Sequence, residues 1–197
     1  MDNQKQSILH SRLQSYTLGI AGVGGLGSNA AISLARVGIG RFILVDFDRV
    51  EESNLNRQYF FREHIGKYKV EVIRELINRI DPTIQVTTYK QRLEPGKMAP
   101  FFKDADVIIE ALDAAETKTQ FIEEIQQKYP KKLLVAASGV AGYGHMDRIK
   151  TMTCGTLALC YDPKAKSSEE DVLMAPKVCA MANWQADIAI TYLLEKE

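Results

Sequence analysis

Asn54-Leu55-Asn56-Arg57-Gln58 gathers a guanidinium and three carboxamides into five consecutive residues, shortly after an aspartate pair, Asp46 and Asp48. Lys67 and Lys69 follow within a dozen residues, and a further acid stands at Asp113. Close to a phosphate, such a set supplies hydrogen-bond donors and positive charge for a triphosphate. Any one of these residues alone reads as ordinary loop polarity; the cluster makes the phosphate reading the stronger one. Arg57 is the first candidate for a phosphate contact, supported by Asn54 and Gln58. Asp46 is placed to accept hydrogen bonds from ribose hydroxyls. Asp48 either contacts a phosphate-bound cation or caps its loop.

The elements that must hold these groups are legible on both sides of them. A strand, Leu18 to Ala21, runs into Gly22-Val23-Gly24-Gly25-Leu26-Gly27, an apolar helix follows from about Ser28, and a second strand, Arg41 to Val45, ends at Asp46. That is a GxGxxG turn in the context it needs, strand before, helix after, and an acid about 20 residues on. Gly22 permits the tight turn, Gly24 and Gly25 let backbone N–H groups approach a phosphate, and Gly27 completes the motif at the positive end of the helix. Beyond it the pattern predicts a helix over Val70–Ile80, a strand over Ile84–Lys90 and a short helix over Leu93–Phe102. A buried strand over Asp106–Leu112, a helix over Ala114–Tyr129 and a buried strand over Leu133–Ala137 follow. From Gly139 to Tyr161 alternation suggests antiparallel strands, Asp162–Asp171 reads as a mobile polar loop, and Met174–Leu194 as a helix opened by Ala175-Pro176. An N-terminal helix over residues 2–16 carries Ile8, Leu9 and Leu13 on one side. The fold class is therefore α/β: a Rossmann-like, doubly wound, mainly parallel sheet extended by antiparallel strands. One domain of 197 residues is expected, with a nucleotide-binding part at about 17–138 and the remainder at about 139–197.

Composition removes other classes. Lys plus Arg and Asp plus Glu both number 25, so no basic field argues for nucleic acid or an anionic membrane. No stretch has the length and purity of a membrane span, and the first residues lack the apolar core of a secretory signal. Cys154, Cys160 and Cys179 make an odd set without paired spacing, suited to a reducing cytoplasm.

Taken in order, GxGGLGS, DxD, NLNRQ, GxxK and the acid in ALDAAETK resemble the ThiF, MoeB and HesA superfamily, bacterial relatives of ubiquitin-activating enzymes. The likeness runs from about Ser7 to Leu194, and SNLNRQYF, AASGVAGYG and the C-terminal helix bring it closest to short ThiF-like proteins. It implies ATP-dependent adenylation of the C-terminal glycine carboxylate of a ubiquitin-like sulfur carrier ending in Gly-Gly, of ThiS type. Thiamine thiazole formation is the implied pathway, with molybdopterin or other sulfur transfer as alternatives and a cysteine desulfurase as a candidate sulfur donor. It also implies a homodimer. By the same resemblance Lys69 is the phosphate lysine, Lys67 its solvated neighbour, and Asp113 the Mg²⁺ ligand, although an Asp there also suits a helix N-cap. Lys118 stands where relatives carry a basic residue, and Arg12 where relatives reach across the dimer to the partner's ATP.

The chain departs from the superfamily in its cysteines. It has no CxxC, so no structural zinc is expected, and the loop 162–174 holds no cysteine to capture an activated carrier. Cys160 at that loop's edge is the one candidate; Cys179 reads as a packed helix residue. His10 and His64 read as surface residues, His145 as part of a glycine-rich turn, and Trp184 as core or dimer interface. A nicotinamide oxidoreductase has little use for NLNRQ and Lys69, and a non-catalytic homologue has little reason to keep Asp46, Arg57, Lys69 and Asp113 together.

Overall fold

The structure is a computed structural model describing residues 2–167 and 170–195, with side chains from residue 7 onward. Residues 168 and 169, within the expected polar loop, lie outside the described residues.

Seven strands form one sheet: β1 (Thr17–Ala21), β2 (Arg41–Val45), β3 (Gln85–Tyr89), β4 (Val107–Glu110), β5 (Leu133–Ser138), β6 (Lys150–Cys154) and β7 (Leu157–Tyr161). Their order is β3-β2-β1-β4-β5-β7-β6. Leu18, Ile20, Val107, Ile108 and Ile109 are fully buried, as the near-continuous apolar runs of a parallel sheet covered on both faces require. The helices are α1 (Asp2–Leu13), α2 (Gly25–Val37), α3 (Lys69–Ile80), α4 (Ala115–Lys128) and α5 (Ala175–Glu195). Buried residues of α2, α3 and α5 share one core with one face of the sheet, while Phe121 and Ile125 of α4 join Met98 and Phe102 in a second core on the other face. The chain order reverses between β1 and β4, so the carboxyl ends of β1, β2 and β4 open on a common crevice.

Several elements differ from the sequence pattern for physical reasons. Helix α2 begins at Gly25, three residues before Ser28, because the glycine turn itself supplies its first turn. The helix expected over Leu93–Phe102 shrinks to a 3-10 turn, Ala99–Phe102, with Pro100 inside it. The C-terminal strands are not simply antiparallel: β7 pairs with β6 antiparallel but with β5 in parallel. On α1 Leu13 is buried whereas Ile8 is largely exposed, so the apolar side does not bury as a unit.

Candidate nucleotide site

Gly22 has φ +86°, and a Cβ there would lie 2.7 Å from the Ala111 carbonyl oxygen, so glycine is required. At Gly27 a Cβ would lie 2.0 Å from the Gly22 carbonyl oxygen, fixing how closely the helix folds back on the turn. Gly24 is the N-cap of α2 and has no side-chain cap. The first N–H groups of a helix lack intrahelical partners and carry the positive end of its dipole, a chemistry suited to an anion.

The Asn54–Gln58 segment lies directly on that turn. Positions where Cβ atoms would stand on Gly24 and Gly25 fall 3.7 Å from Gln58 Nε2 and 3.9 Å from Arg57 Cγ. Two helix residues hold the segment there. Ser28 Oγ donates to the Gly24 carbonyl (2.6 Å) and accepts from the Tyr59 N–H (3.0 Å). Asn29 Nδ2 donates to the carbonyls of both Gly25 (2.7 Å) and Arg57 (3.0 Å). Sequence reasoning passed over both residues; two small polar side chains in the first turn of an otherwise apolar helix were the available signal. The Arg57 guanidinium uses Nη1 on the Ser53 carbonyl and Asn56 Oδ1. Among the described residues Gln58 Oε1 is buried without a hydrogen-bond partner. Asn54 has a different place: buried, it accepts from the Glu51 N–H (3.0 Å) and builds the loop.

Across the crevice Asp46 is 9% exposed, with Oδ2 accepting from the Val23 N–H (2.6 Å) and Oδ1 from the Asp48 N–H (2.8 Å). Burial raises its carboxyl above the usual range, against the opposing pull of the two N–H groups and of Lys69. Lys69, 5% exposed at the start of α3, pairs with Asp48 at 2.8 Å. Asp48 thus holds a lysine, a role the loop-cap and cation-contact alternatives did not include. Lys67 is exposed.

Asp113 follows β4 on the turn into α4. The helix N-cap is Ala114, without a side-chain cap, and among the described residues the Asp113 carboxylate accepts only from the adjacent Ala114 N–H (2.8 Å). It is exposed, so the helix-capping alternative gives way to a carboxylate presented outward. Lys118, one turn on, pairs with Glu110, the fully buried last residue of β4. Glu110 escaped notice in the sequence because it closes an apolar strand.

Other candidates are not brought to this crevice. Arg12 donates to the Leu194 carbonyl (2.6 Å) near the other end of β1, so within one chain it takes no part. Cys160 is buried in β7 and burial pushes its thiol up to about 12, which removes it as a nucleophile at neutral pH. Cys179 instead lies by the turn, its thiol donating to Asn29 Oδ1 (3.4 Å). His64 is not a surface residue: it is 5% exposed, and its Nδ1 accepts from the Phe61 N–H. His145 is exposed in the left-handed region (φ 53°). Trp184, 44% exposed, donates from Nε1 to Thr151 Oγ1 of β6 and so is not core. No helix among the described residues is long and apolar enough to cross a membrane.

A profile of the ThiF family matches residues 5–197. Adenylyltransferase and sulfurtransferase uba4 of Aspergillus clavatus is 38% identical over 108 residues, covering 54% of this chain and 22% of that protein. The tRNA threonylcarbamoyladenosine dehydratase of Escherichia coli K12 is 32% identical over 153 residues, covering 77% of this chain and 56% of that protein. The chain therefore spans less than two thirds of the length of either relative. A crystal structure of the E. coli dehydratase TcdA in complex with ATP shares the fold, with a TM-score of 0.87 over 96% of this chain and 90% of that one at 23% identity.

Proposed function

We propose that this chain, which belongs to the ThiF family, is an ATP-dependent adenylyltransferase acting on the C-terminal glycine carboxylate of a ubiquitin-like sulfur carrier. The observation that carries the reading is the Asn54–Gln58 segment held on the glycine turn by Ser28 and Asn29, which puts Arg57 beside a helix N-terminus built for phosphate. In the reaction a carboxylate oxygen bonds to the α-phosphorus of ATP, the α–β bridging bond breaks, and pyrophosphate leaves with its electron pair. The nucleophile is already ionised, so no general base is needed, and the protein's task is positioning and charge neutralisation. Arg57 and Lys69 supply the positive charge, the α2 N–H groups cradle a phosphate, and Asp46 holds the ribose.

The residues present fit Mg²⁺ carried by ATP. Among the described residues no group of three or more His, Cys, Asp or Glu converges as a cage. A lone exposed carboxylate, Asp113, meets the need of an ion that keeps its waters and takes most other ligands from phosphates. Bound there through Asp113, Mg²⁺ would offset charge on the triphosphate. Arg12 enters only if a second copy carries it to the site, which makes a homodimer part of the proposal.

A second reading rests on the E. coli relative, whose name gives a modified tRNA nucleoside as its substrate. Threonylcarbamoyladenosine carries a carboxylate, and the same site would serve its activation. Equal numbers of acidic and basic residues give this chain no general field for a polyanion, which favours the protein carrier.

The test is ATP–pyrophosphate exchange with Mg²⁺, comparing a panel of Gly-Gly carriers, ThiS-like ones included, with threonylcarbamoyladenosine-modified tRNA. Carrier-dependent exchange is expected, and the active carrier assigns the pathway. Exchange with tRNA alone establishes the second reading, and tight ATP binding without exchange on any acceptor overturns both.

A further inference from the structure

An ion pair between the fully buried carboxylate of Glu110 and the part-buried ammonium of Lys118 lies behind the turn that presents Asp113. Glu110 is 0% exposed and ends β4. Its Oε1 accepts from the Leu112 N–H (2.7 Å), its Oε2 pairs with Lys118 Nζ, and its carbonyl accepts from Gln185 Nε2 of α5 (2.9 Å). Gln185 also donates to the Val135 carbonyl of β5 (3.1 Å), so the strand end is tied to a neighbouring strand and to α5. Lys118 belongs to the first turn of α4, where its own N–H bonds the Ala114 carbonyl (2.9 Å). One ion pair therefore closes a ring whose crossing segment is Ala111-Leu112-Asp113-Ala114.

The front of that segment is held by the sheet, where the Ala111 N–H donates to the Ala21 carbonyl (2.8 Å), whereas its Asp113 end has few other ties among the described residues. Helix α4 has no side-chain cap, and among the described residues the Asp113 carboxylate accepts a hydrogen bond only from the N–H of its neighbour. Burying an ion pair is a poor way to gain stability, since well-packed apolar side chains of similar volume do as well or better. What the pair adds is direction: it fixes the peptide that bears an exposed carboxylate. We infer that Glu110 and Lys118 are positioning residues that hold the Asp113 turn in the geometry needed to receive the cation of an ATP–Mg²⁺ complex. This rests on the adenylation reading of Asp113.

Calorimetric titration with ATP, in Mg²⁺ and in EDTA, separates the possibilities without relying on turnover. In the unaltered protein Mg²⁺ tightens ATP binding. Lys118→Met and Glu110→Gln reduce that tightening by roughly tenfold or more, as loss of an outer partner of a ligand typically does. Lys118→Arg keeps it. With Asp113 already replaced by Ala, Lys118→Met causes no further loss, because the pair then has no ligand to aim. The neutral pair Glu110→Gln/Lys118→Met leaves no uncompensated buried charge and serves where a single change unfolds the chain. A folded variant with undiminished Mg²⁺ enhancement, or losses that add to those of Asp113→Ala, overturns the inference while leaving adenylation standing. Mg²⁺ indifference of the unaltered protein removes Asp113 as a ligand, and with it both the inference and that part of the proposed function.

Discussion

Arg57 carries only part of its hydrogen-bonding capacity into the loop, through Nη1, while its side chain runs beside Gly25. A planar, permanently charged fork so placed suits the α- and β-phosphate oxygens. Arg57→Ala should slow adenylation by about 10²–10³-fold, the usual cost of removing one transition-state donor, with a near-native melting temperature. Pyrophosphate exchange and thermal melts on the same preparation measure both. Cys160 gives the opposite expectation. Its thiol is buried, and burial pushes its pKa up to about 12, so Cys160→Ser should leave exchange intact. Iodoacetamide at pH 8 should label exposed Cys154 well ahead of Cys160 in the folded chain, which peptide mass mapping reads directly. Arg57 was legible because its neighbours repeat its chemistry. Glu110, Ser28 and Asn29 were not, and Lys118 stood out by resemblance alone without its partner, because no spacing rule reveals a lysine eight residues on as the counter-ion of a strand residue.

At the scale of elements, the glycine turn separates folding from binding. Gly27→Ala puts a methyl 2.0 Å from a carbonyl oxygen and should break the turn, lowering both stability and nucleotide affinity. At Gly24 a methyl meets nothing closer than 3.7 Å, so Gly24→Ala should melt near the native temperature yet bind ATP weakly, because the methyl occupies the approach of the phosphate. Equal losses in both variants would mean that Gly24 serves the fold alone. The irregular stretch between β2 and α3 makes a related point. His64 is buried against Phe61 with its ring nitrogen accepting a backbone N–H, and burial lowers its pKa below 6.5. The unfolded chain therefore takes up this proton first as pH falls. The contribution of neutral His64 is complete above pH 6.5 and is lost as pH falls below it toward the lower folded-state value. The difference in unfolding free energy between the native chain and His64→Gln should shrink from pH 7.5 to 5.5; a constant difference would remove the titration argument. Strand β2 was readable to the residue, because an apolar run between a glycine and an acid leaves no choice of ends. His64 was misread because a 3-10 turn has no periodicity to show which side chain faces inward.

Over the whole molecule, the part beyond β5 meets the rest of the chain both through the β7–β5 pairing and through α5, which packs on α2. Lys177, 3% exposed, donates to the Ala141 carbonyl (2.7 Å) and pairs with Asp162 (2.8 Å), linking the loop after β5, the end of β7 and the first turn of α5. The next residues of α5, Val178 and Cys179, reach the glycine turn at Gly25 and Asn29. The polar loop expected from Asp162 to Asp171 is therefore anchored where it leaves the sheet, a constraint its charged composition concealed. Burial alone would raise the Asp162 carboxyl, but the Lys177 ammonium and the Lys164 N–H outweigh it and hold the group below the ordinary carboxylate range. Its stabilising contribution is thus present above about pH 4 and is lost as pH falls through the lower folded-state value. Lys177→Met should cost about 3–5 kcal/mol, since it strands a buried carboxylate, and Lys177→Met/Asp162→Asn should recover much of that. Denaturant unfolding at pH 7 measures both. The same coupling predicts that Lys177→Met weakens ATP binding even though the partners of Lys177, Ala141 and Asp162, lie outside the candidate nucleotide site, because the start of α5 packs on the turn. If ATP affinity in the folded variant stays native, α5 transmits nothing from the far end of the sheet to the nucleotide.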